Sequence, residues 1–379
     1  METVSLYKDG LDAVKQAGGE AYKYCYQCGM CNAVCPWNLV VNFSMRTIVR
    51  QAAFGLPEIE GDDIWRCTTC GKCPQRCPRG VATIEVTKSF RRIAAEYGAV
   101  PGPIHTVAAS LGTEGNPFRE DRAKRGDWAK GLQVKTFTEV TEFLYFPGCY
   151  LSYDARLKKV AVATTNILNK AGVDFGILGP KENCCGESIR KTGDEALFKQ
   201  LAKENIKNFV DAGVKKIIVS SPHCYHTFKN EYAEFKVNFE VIHISQFLSQ
   251  LFKEGKLKVA REYKKKITYH DPCYLGRHNG IFDEPREVLK KCGVELVEMV
   301  DSGIDSLCCG GGGGGIWMDR KKGERFSDIR IGQAIETGAE ALVTSCPYCI
   351  VNFEDSKLSV PDAEAIEIKD ITEIIQEVI

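Results

Sequence analysis

No apolar run in the 379 residues approaches the roughly eighteen that a bilayer-crossing helix needs, so no direct membrane span is expected. Met1 to Gly10 has neither the basic start nor the apolar stretch of a secretory leader. Charge of one sign is missing as well. Lys+Arg and Asp+Glu stand at 50 each, which gives no general attraction for nucleic acid or anionic lipid. The basic runs Lys264-Lys265-Lys266 and Arg320-Lys321-Lys322 read as solvated surface. A nucleotide-binding G-x-G-x-x-G between strand and helix, with an acidic follow-on, is also absent, so flavin, quinone or NAD chemistry is left to partners. Apolar content is ordinary, and the length allows two or three domains with their own cores.

Cysteine, by contrast, is abundant: eighteen residues, seventeen of them in four clusters with ligand-like spacing. The first cluster reads Cys25-x2-Cys28-x2-Cys31-x3-Cys35-Pro36 and the second Cys67-x2-Cys70-x2-Cys73-x3-Cys77-Pro78. Such tight spacing does not suit disulfides and does suit metal thiolates in a reducing cytoplasm. Each run is the bacterial two-cluster ferredoxin pattern, in which the fourth cysteine serves the other cluster. Cys25, Cys28, Cys31 and Cys77 are therefore assigned to one [4Fe-4S] cluster, and Cys67, Cys70, Cys73 and Cys35 to a second. Zinc sites are the alternative, disfavoured by two full runs each closed by proline. Between the motifs, Ser44 to Phe54 reads as a helix stopped by Gly55, with Ile48, Ala52 and Leu56 on one face. Thr83 to Tyr97 reads as another, closed by Gly98 and Pro101. Gly112 to Gly131 reads as a linker.

The remainder is duplicated. Strand Thr141 to Phe146 leads to Pro147-Gly148-Cys149-Tyr150-Leu151, and strand Lys266 to His270 leads to Asp271-Pro272-Cys273-Tyr274-Leu275. Thirty-four residues separate Cys149 from Cys184-Cys185-Gly186, and thirty-four separate Cys273 from Cys308-Cys309-Gly310. Ser221-Pro222-His223-Cys224 then aligns with Cys346-Pro347-Tyr348-Cys349. Helices are predicted at 156–170, 195–212, 284–291 and 325–337, so each copy alternates strand and helix. The expected fold is α+β multidomain: a helical two-cluster domain followed by a duplicated α/β unit with parallel sheets. The expected boundaries are 1–135, 136–265 and 266–379. Several cysteines follow strand C-termini, where open α/β sheets place their sites.

The second copy offers five thiolates, Cys273, Cys308, Cys309, Cys346 and Cys349, one more than a cubane or a zinc ion takes. Six glycines follow, Gly310 to Gly315, allowing close backbone approach to a cluster or room for a substrate. In the first copy Ser221 replaces the counterpart of Cys346, which leaves Cys149, Cys184, Cys185 and Cys224. Three outcomes are open there: a four-thiolate cluster, which is favoured; a noncubane cluster completed by His223, His226 or Ser221; or an empty structural site. Cys292 aligns with Ala171 and reads as a buried helix residue.

On these motifs, residues 141–379 resemble the duplicated cysteine-rich (CCG) domain found in the B component of heterodisulfide reductase, and residues 20–100 resemble its ferredoxin-type C component. Fused in this order, the chain resembles the D-type heterodisulfide reductase family over nearly its whole length. The resemblance implies a noncubane [4Fe-4S] cluster on Cys273, Cys308, Cys309, Cys346 and Cys349. It further implies two-electron disulfide cleavage there, with iron capturing the nascent thiolates. These five cysteines are accordingly the expected catalytic set, and the missing ligand in the first copy puts a mechanism with two noncubane clusters in doubt.

Two functions are carried forward. One is reduction of a small or protein-borne disulfide, or oxidation of a dithiol. The other is electron relay within a larger flavin- or quinone-linked complex. Either implies a cytoplasmic subunit of an anaerobe's complex, membrane-associated only through a partner such as a flavoprotein, a hydrogenase-like protein or a quinone- or cytochrome-bearing membrane subunit. His270, Arg277 and His278 around Cys273 are candidate proton donors or anion binders, although His270 at a strand end fits a core histidine equally well. Glu187, Arg190 and Lys191 are candidates for screening a cluster's charge, and a helix's first turn explains Glu187 as well.

Overall fold

The computed structural model describes residues 7–55, 61–321 and 323–379. Leu56 and Lys322, named above, lie outside the described residues, as do Met1 to Leu6. The chain divides into two compact units. The first comprises residues 1–106 together with 188–198 and 310–326; the second comprises 107–187, 199–309 and 327–379.

In the first unit, helices Lys8–Gln16, Met45–Phe54 and Thr83–Glu96 pack on one another. Val14, Ile48, Val49, Ala52, Val86 and Phe90 form the apolar seam between them. Ser44 caps the second of these helices, its hydroxyl accepting from the Thr47 amide, and Gly55 ends it in the left-handed region at φ 69°. Arg91, on the third helix, is fully buried. Its guanidinium donates to the carbonyl oxygens of Ile64 (2.8 Å), Cys67 (2.6 Å), Lys191 (3.0 Å) and Gly313 (2.9 Å). One side chain thus ties the second ferredoxin motif to both later segments of this unit.

The glycine run is explained by the same neighbourhood. A Cβ on Gly312 would stand 2.4 Å from the Thr68 carbonyl oxygen, and one on Gly313, at φ 60°, 2.6 Å from that of Cys67. The backbone approaches closer than any side chain permits. Gly312→Ala is therefore expected to lower stability by about 1–3 kcal/mol in denaturant unfolding. Gly332→Ala, in helix Phe326–Glu336 with open space around it, is expected to raise stability by up to about 1 kcal/mol. Equal effects at the two positions would refute the close-approach account.

The second unit holds two parallel sheets. The first contains β1 (Lys135–Thr136), β2 (Phe143–Phe146), β3 (Phe175–Ile177), β4 (Lys216–Val219) and β5 (Glu240–His243), in the order β1-β3-β2-β4-β5. The second contains β6 (Lys266–Tyr269), β7 (Glu295–Val297), β8 (Ala341–Thr344) and β9 (Glu367–Asp370), in the order β7-β6-β8-β9. Apart from β1 the two orders are the same, as the duplication requires. In register, Phe143 pairs with Lys216 and Phe146 with Val219; Ile267 pairs with Ala341 and Tyr269 with Val343. Burial on both faces accounts for the apolar runs of these strands. Chain order reverses between β2 and β4, and between β6 and β8, and these are the crevices in which such sheets bind ligands. The copies also exchange helices. Ile244–Lys253 of the first packs on Asp283–Lys291 of the second, and Ile371–Val378 of the second packs on Lys158–Lys170 of the first.

The stretch read as a linker differs. It contains the end of helix Gly102–Glu114 and a 3-10 helix, Arg122–Ala129, with Arg125 and Trp128 buried. Glycine and charge there serve turns and a buried ion pair rather than a solvated connection.

Candidate metal centres

In the first unit the two ferredoxin motifs fold alike. Gln27 (φ 66°) and Gly29 (φ 85°) flank Cys28 in the left-handed region, and Thr69 (φ 53°) and Gly71 (φ 83°) flank Cys70. Positive φ at non-glycine residues costs of order 1–3 kcal/mol each, and such strain collects at ligand sites. Backbone amides turn inward as a result: that of Gln27 donates to the Cys25 sulfur at 3.4 Å, and that of Val81 to Cys77 at 3.4 Å. Inward amides favour anionic groups. A cavity is lined by Cys35, Cys67, Cys70 and Cys73, with Pro36 and Trp37 among its walls. These are the sulfurs that the crosswise assignment groups together. Burial, then repulsion by Cys67 and Cys70, pushes the Cys73 thiol well up, with a further contribution from Cys35. Crowded, desolvated thiols of this kind suit a cationic metal centre that displaces their protons. Cys77 interacts electrostatically at the same tyrosine, Tyr26, as Cys28. Cys28 is exposed, whereas Cys67, Cys70 and Cys73 are buried.

In the second unit the first copy brings its four cysteines together. Cys149 is in side-chain contact with Cys184, Cys184 with Cys185, and Cys185 with Cys224. Buried Arg125 donates to the Cys149 sulfur at 3.4 Å and pairs with buried Glu182 at 3.3 Å. A fixed cation beside four sulfurs fits a thiolate set. Nothing in the local sequence marks Arg125 for this role, since its partners lie 24 and 57 residues away. Of the three substitute ligands, His223 faces Glu187 and Cys346, and His226 lies near Asn230 and Glu231. Ser221 is the N-cap of helix Pro222–His226.

All five cysteines of the second copy are buried. The sulfurs of Cys309 and Cys349 lie 3.3 Å apart, and Cys346 is in side-chain contact with Cys349. Asn352 secures the turn by donating to the Cys309 carbonyl at 2.9 Å. His270 is fully buried. A ring nitrogen of His270 and the sulfurs of Cys309 and Cys349 lie within 4.8 Å of one another. Its Nδ1 accepts from Arg330 Nε at 3.1 Å, which places the proton on Nε2. Burial, then Arg330, holds its pKa well below the usual range. Arg277 donates to the carbonyls of Ser306 (2.6 Å) and Ile304 (3.3 Å), and His278 stacks on Tyr274 at 4.2 Å. Glu187 is buried, and Arg190 pairs with Glu195 at 3.3 Å. Cys292 is buried outside every cluster, and burial pushes its thiol up to about 12.

A column of rings runs between the copies. Tyr150 meets Tyr348 at 4.7 Å, Tyr348 meets His223 at 4.5 Å, and His223 meets Tyr274 at 4.4 Å. Tyr150 and Tyr274 are equivalent positions in the two copies, as are His223 and Tyr348, so the column is nearly two-fold symmetric. Each ring sits next to a cysteine in sequence.

Comparison with known proteins finds the same domain content. The cysteine-rich CCG domain family matches residues 143–229 and again 267–354, and a 4Fe-4S dicluster domain family matches residues 21–81. The D component of the dihydromethanophenazine:CoB–CoM heterodisulfide reductase of Methanosarcina barkeri is 32% identical, covering 93% of this chain and 93% of its own length. The EtfAB:quinone oxidoreductase of Syntrophomonas wolfei is 36% identical over 84% of this chain, but the chain spans only 46% of that relative. Among solved structures, a hypothetical protein from Helicobacter pylori superimposes with a TM-score of 0.57 at 9% identity, covering 88% of this chain and 65% of its own, a likeness of fold alone. Among the described residues no helix is long and apolar enough to cross a membrane. With its dicluster domain, duplicated cysteine-rich domain and full-length relatives, this chain belongs to the D-type heterodisulfide reductase family and is an iron–sulfur oxidoreductase component.

Proposed function

We propose that this chain receives electrons at its two ferredoxin-type centres and reduces a disulfide, or in reverse oxidises a dithiol, at a noncubane cluster held by Cys273, Cys308, Cys309, Cys346 and Cys349. The observation that carries the reading is the burial of all five thiols, with Cys309 and Cys349 in sulfur contact and Cys346 against Cys349. When bound, the clusters supply electrons singly, and a disulfide takes two, with two protons, to leave two thiols. The protein's own groups prepare the site. Burial excludes water, and His270 Nε2 presents a hydrogen-bond donor fixed by Arg330. With Cys28 grouped with Cys25, Cys31 and Cys77, its exposure makes that centre the entry point for electrons and leaves the Cys67 centre for the interior.

A second reading is favoured by the quinone oxidoreductase relative: the same chain as a relay subunit for a flavoprotein or quinone partner, with no disulfide chemistry of its own. Under either reading the chain works within a complex in a reducing compartment.

Iron and acid-labile sulfide analysis with EPR on anaerobic protein, wild type beside Cys346→Ser, tests the assignment. About twelve irons or more are expected, three clusters at four irons each. A distinct signal should be lost in the variant while the ferredoxin signals persist. About eight irons, unchanged by the substitution, would overturn it. A disulfide substrate that perturbs the oxidised signal supports catalysis, and one without effect supports the relay.

A further inference from the structure

Three of the differences between the two copies lie close to their cysteines. Glu187 of the first stands where the second has Gly311, Ser221 where it has Cys346, and His223 where it has Tyr348. These differences meet in space. His223 Nδ1 lies 3.2 Å from Glu187 Oε2, and the His223 side chain lies against Cys346 of the other copy. All three residues are buried, at 4% exposure or less. The imidazole is held between Tyr274 and Tyr348, whose ring centroids lie at 4.4 and 4.5 Å with 35° between planes. Its plane is held by the two tyrosines and its Nδ1 edge lies beside the carboxylate, which leaves the opposite edge to the sulfur.

We infer that the first copy, having given up one cysteine, serves the second: His223, oriented by Glu187, is a positioning residue that donates a hydrogen bond to the Cys346 sulfur and tunes the centre that sulfur helps to hold. Hydrogen bonds to ligand sulfur withdraw charge and raise reduction potential, and a second residue that orients the donor is the usual support. The cause of the asymmetry is then specific. A cysteine at 221 would complete a second five-thiol set, whereas the histidine two residues on reaches across to the existing one. Tyr348, at the equivalent place, has no nitrogen to offer and forms the wall instead.

This role rests on the reading that the second copy holds a cluster, which the Cys346→Ser comparison tests separately. The experiment is an EPR-monitored redox titration of the whole chain, with iron analysis, for wild type, His223→Leu, His223→Gln and Glu187→Gln. His223→Leu should load the same iron and shift the Cys346-dependent signal to a lower midpoint potential. His223→Gln, which keeps an N–H, should restore part of the shift, and Glu187→Gln should give a smaller one. The signals of the ferredoxin centres should not move. An unchanged midpoint in fully loaded His223→Leu would overturn the proposal. So would loss of the second-copy signal in both histidine variants, because His223 would then build the site rather than tune it.

Discussion

Replacement of Arg91 by methionine is expected to cost about 3–6 kcal/mol and to disorder the second ferredoxin motif. The side chain is fully buried and donates to four backbone carbonyls, on Ile64, Cys67, Lys191 and Gly313. Methionine fills much of the volume but offers no donor. Each carbonyl left without a partner away from water costs about 1–3 kcal/mol, and partial relaxation recovers some of the sum. Lysine is not an adequate substitute, because a single ammonium cannot reproduce the planar fork. The loss should appear in denaturant unfolding followed by fluorescence of Trp65, whose ring the Arg91 guanidinium covers at 5.4 Å. The thiol chemistry is coupled to it as well. Burial raises the Cys67 thiol, and Arg91 acts against that rise, so the variant should load less iron at this centre. A loss below about 1 kcal/mol would show that water or neighbouring groups replace the guanidinium, and Arg91 would not be the tie between these segments.

The second large effect concerns Arg125. Its guanidinium and the Glu182 carboxylate are each about 1% exposed and lie 3.3 Å apart, and the same cation reaches the Cys149 sulfur. Arg125→Met strands a buried carboxylate, an event that typically costs about 3–5 kcal/mol. Removing both charges is far less damaging than removing one, so Arg125→Met with Glu182→Gln should recover at least half of the loss. The comparison separates two roles. If the double variant regains stability but the first copy still binds no iron, Arg125 acts through Cys149 as a counter-charge. If iron returns with stability, its role there is structural. Additive losses in the double variant would mean that the pair carries no coupling.

Much of the organisation is legible in order along the chain because its determinants are local. Helix Met45–Phe54 is announced by the Ser44 cap and the Gly55 stop, both of which act within one turn. Strand β2 begins two residues later than the pattern suggests, since Thr141 and Glu142 are used for a turn and a hydrogen bond to Asp174. The cysteine spacings carry the ferredoxin pattern because three thiolates on one loop can serve one cluster without help from the rest of the fold. Equal intervals of thirty-four residues disclose the duplication, and the sheets have the matching orders β3-β2-β4-β5 and β7-β6-β8-β9.

Residues whose meaning lies in spacing are therefore readable without a fold: two ferredoxin runs, two cysteine-rich copies, parallel α/β alternation, and the missing cysteine at Ser221. What the buried polar groups do emerges only in three dimensions. Arg91, in the pair Arg91-Arg92 of a predicted helix, and Arg125, in a stretch that reads as a linker, carry no signal in the sequence, and both are interior cations with partners far along the chain. The glycine run reads as room around a cluster, and the contact that requires Gly312 and Gly313 is with the backbone of Cys67 and Thr68, more than two hundred residues earlier. Glu187, His223 and Cys346 are separate features of two different copies until the fold brings them together. The physical reason is the same in each case. A lone polar side chain carries no periodicity, and the free energy of burying it depends on donors and acceptors that only the folded chain supplies.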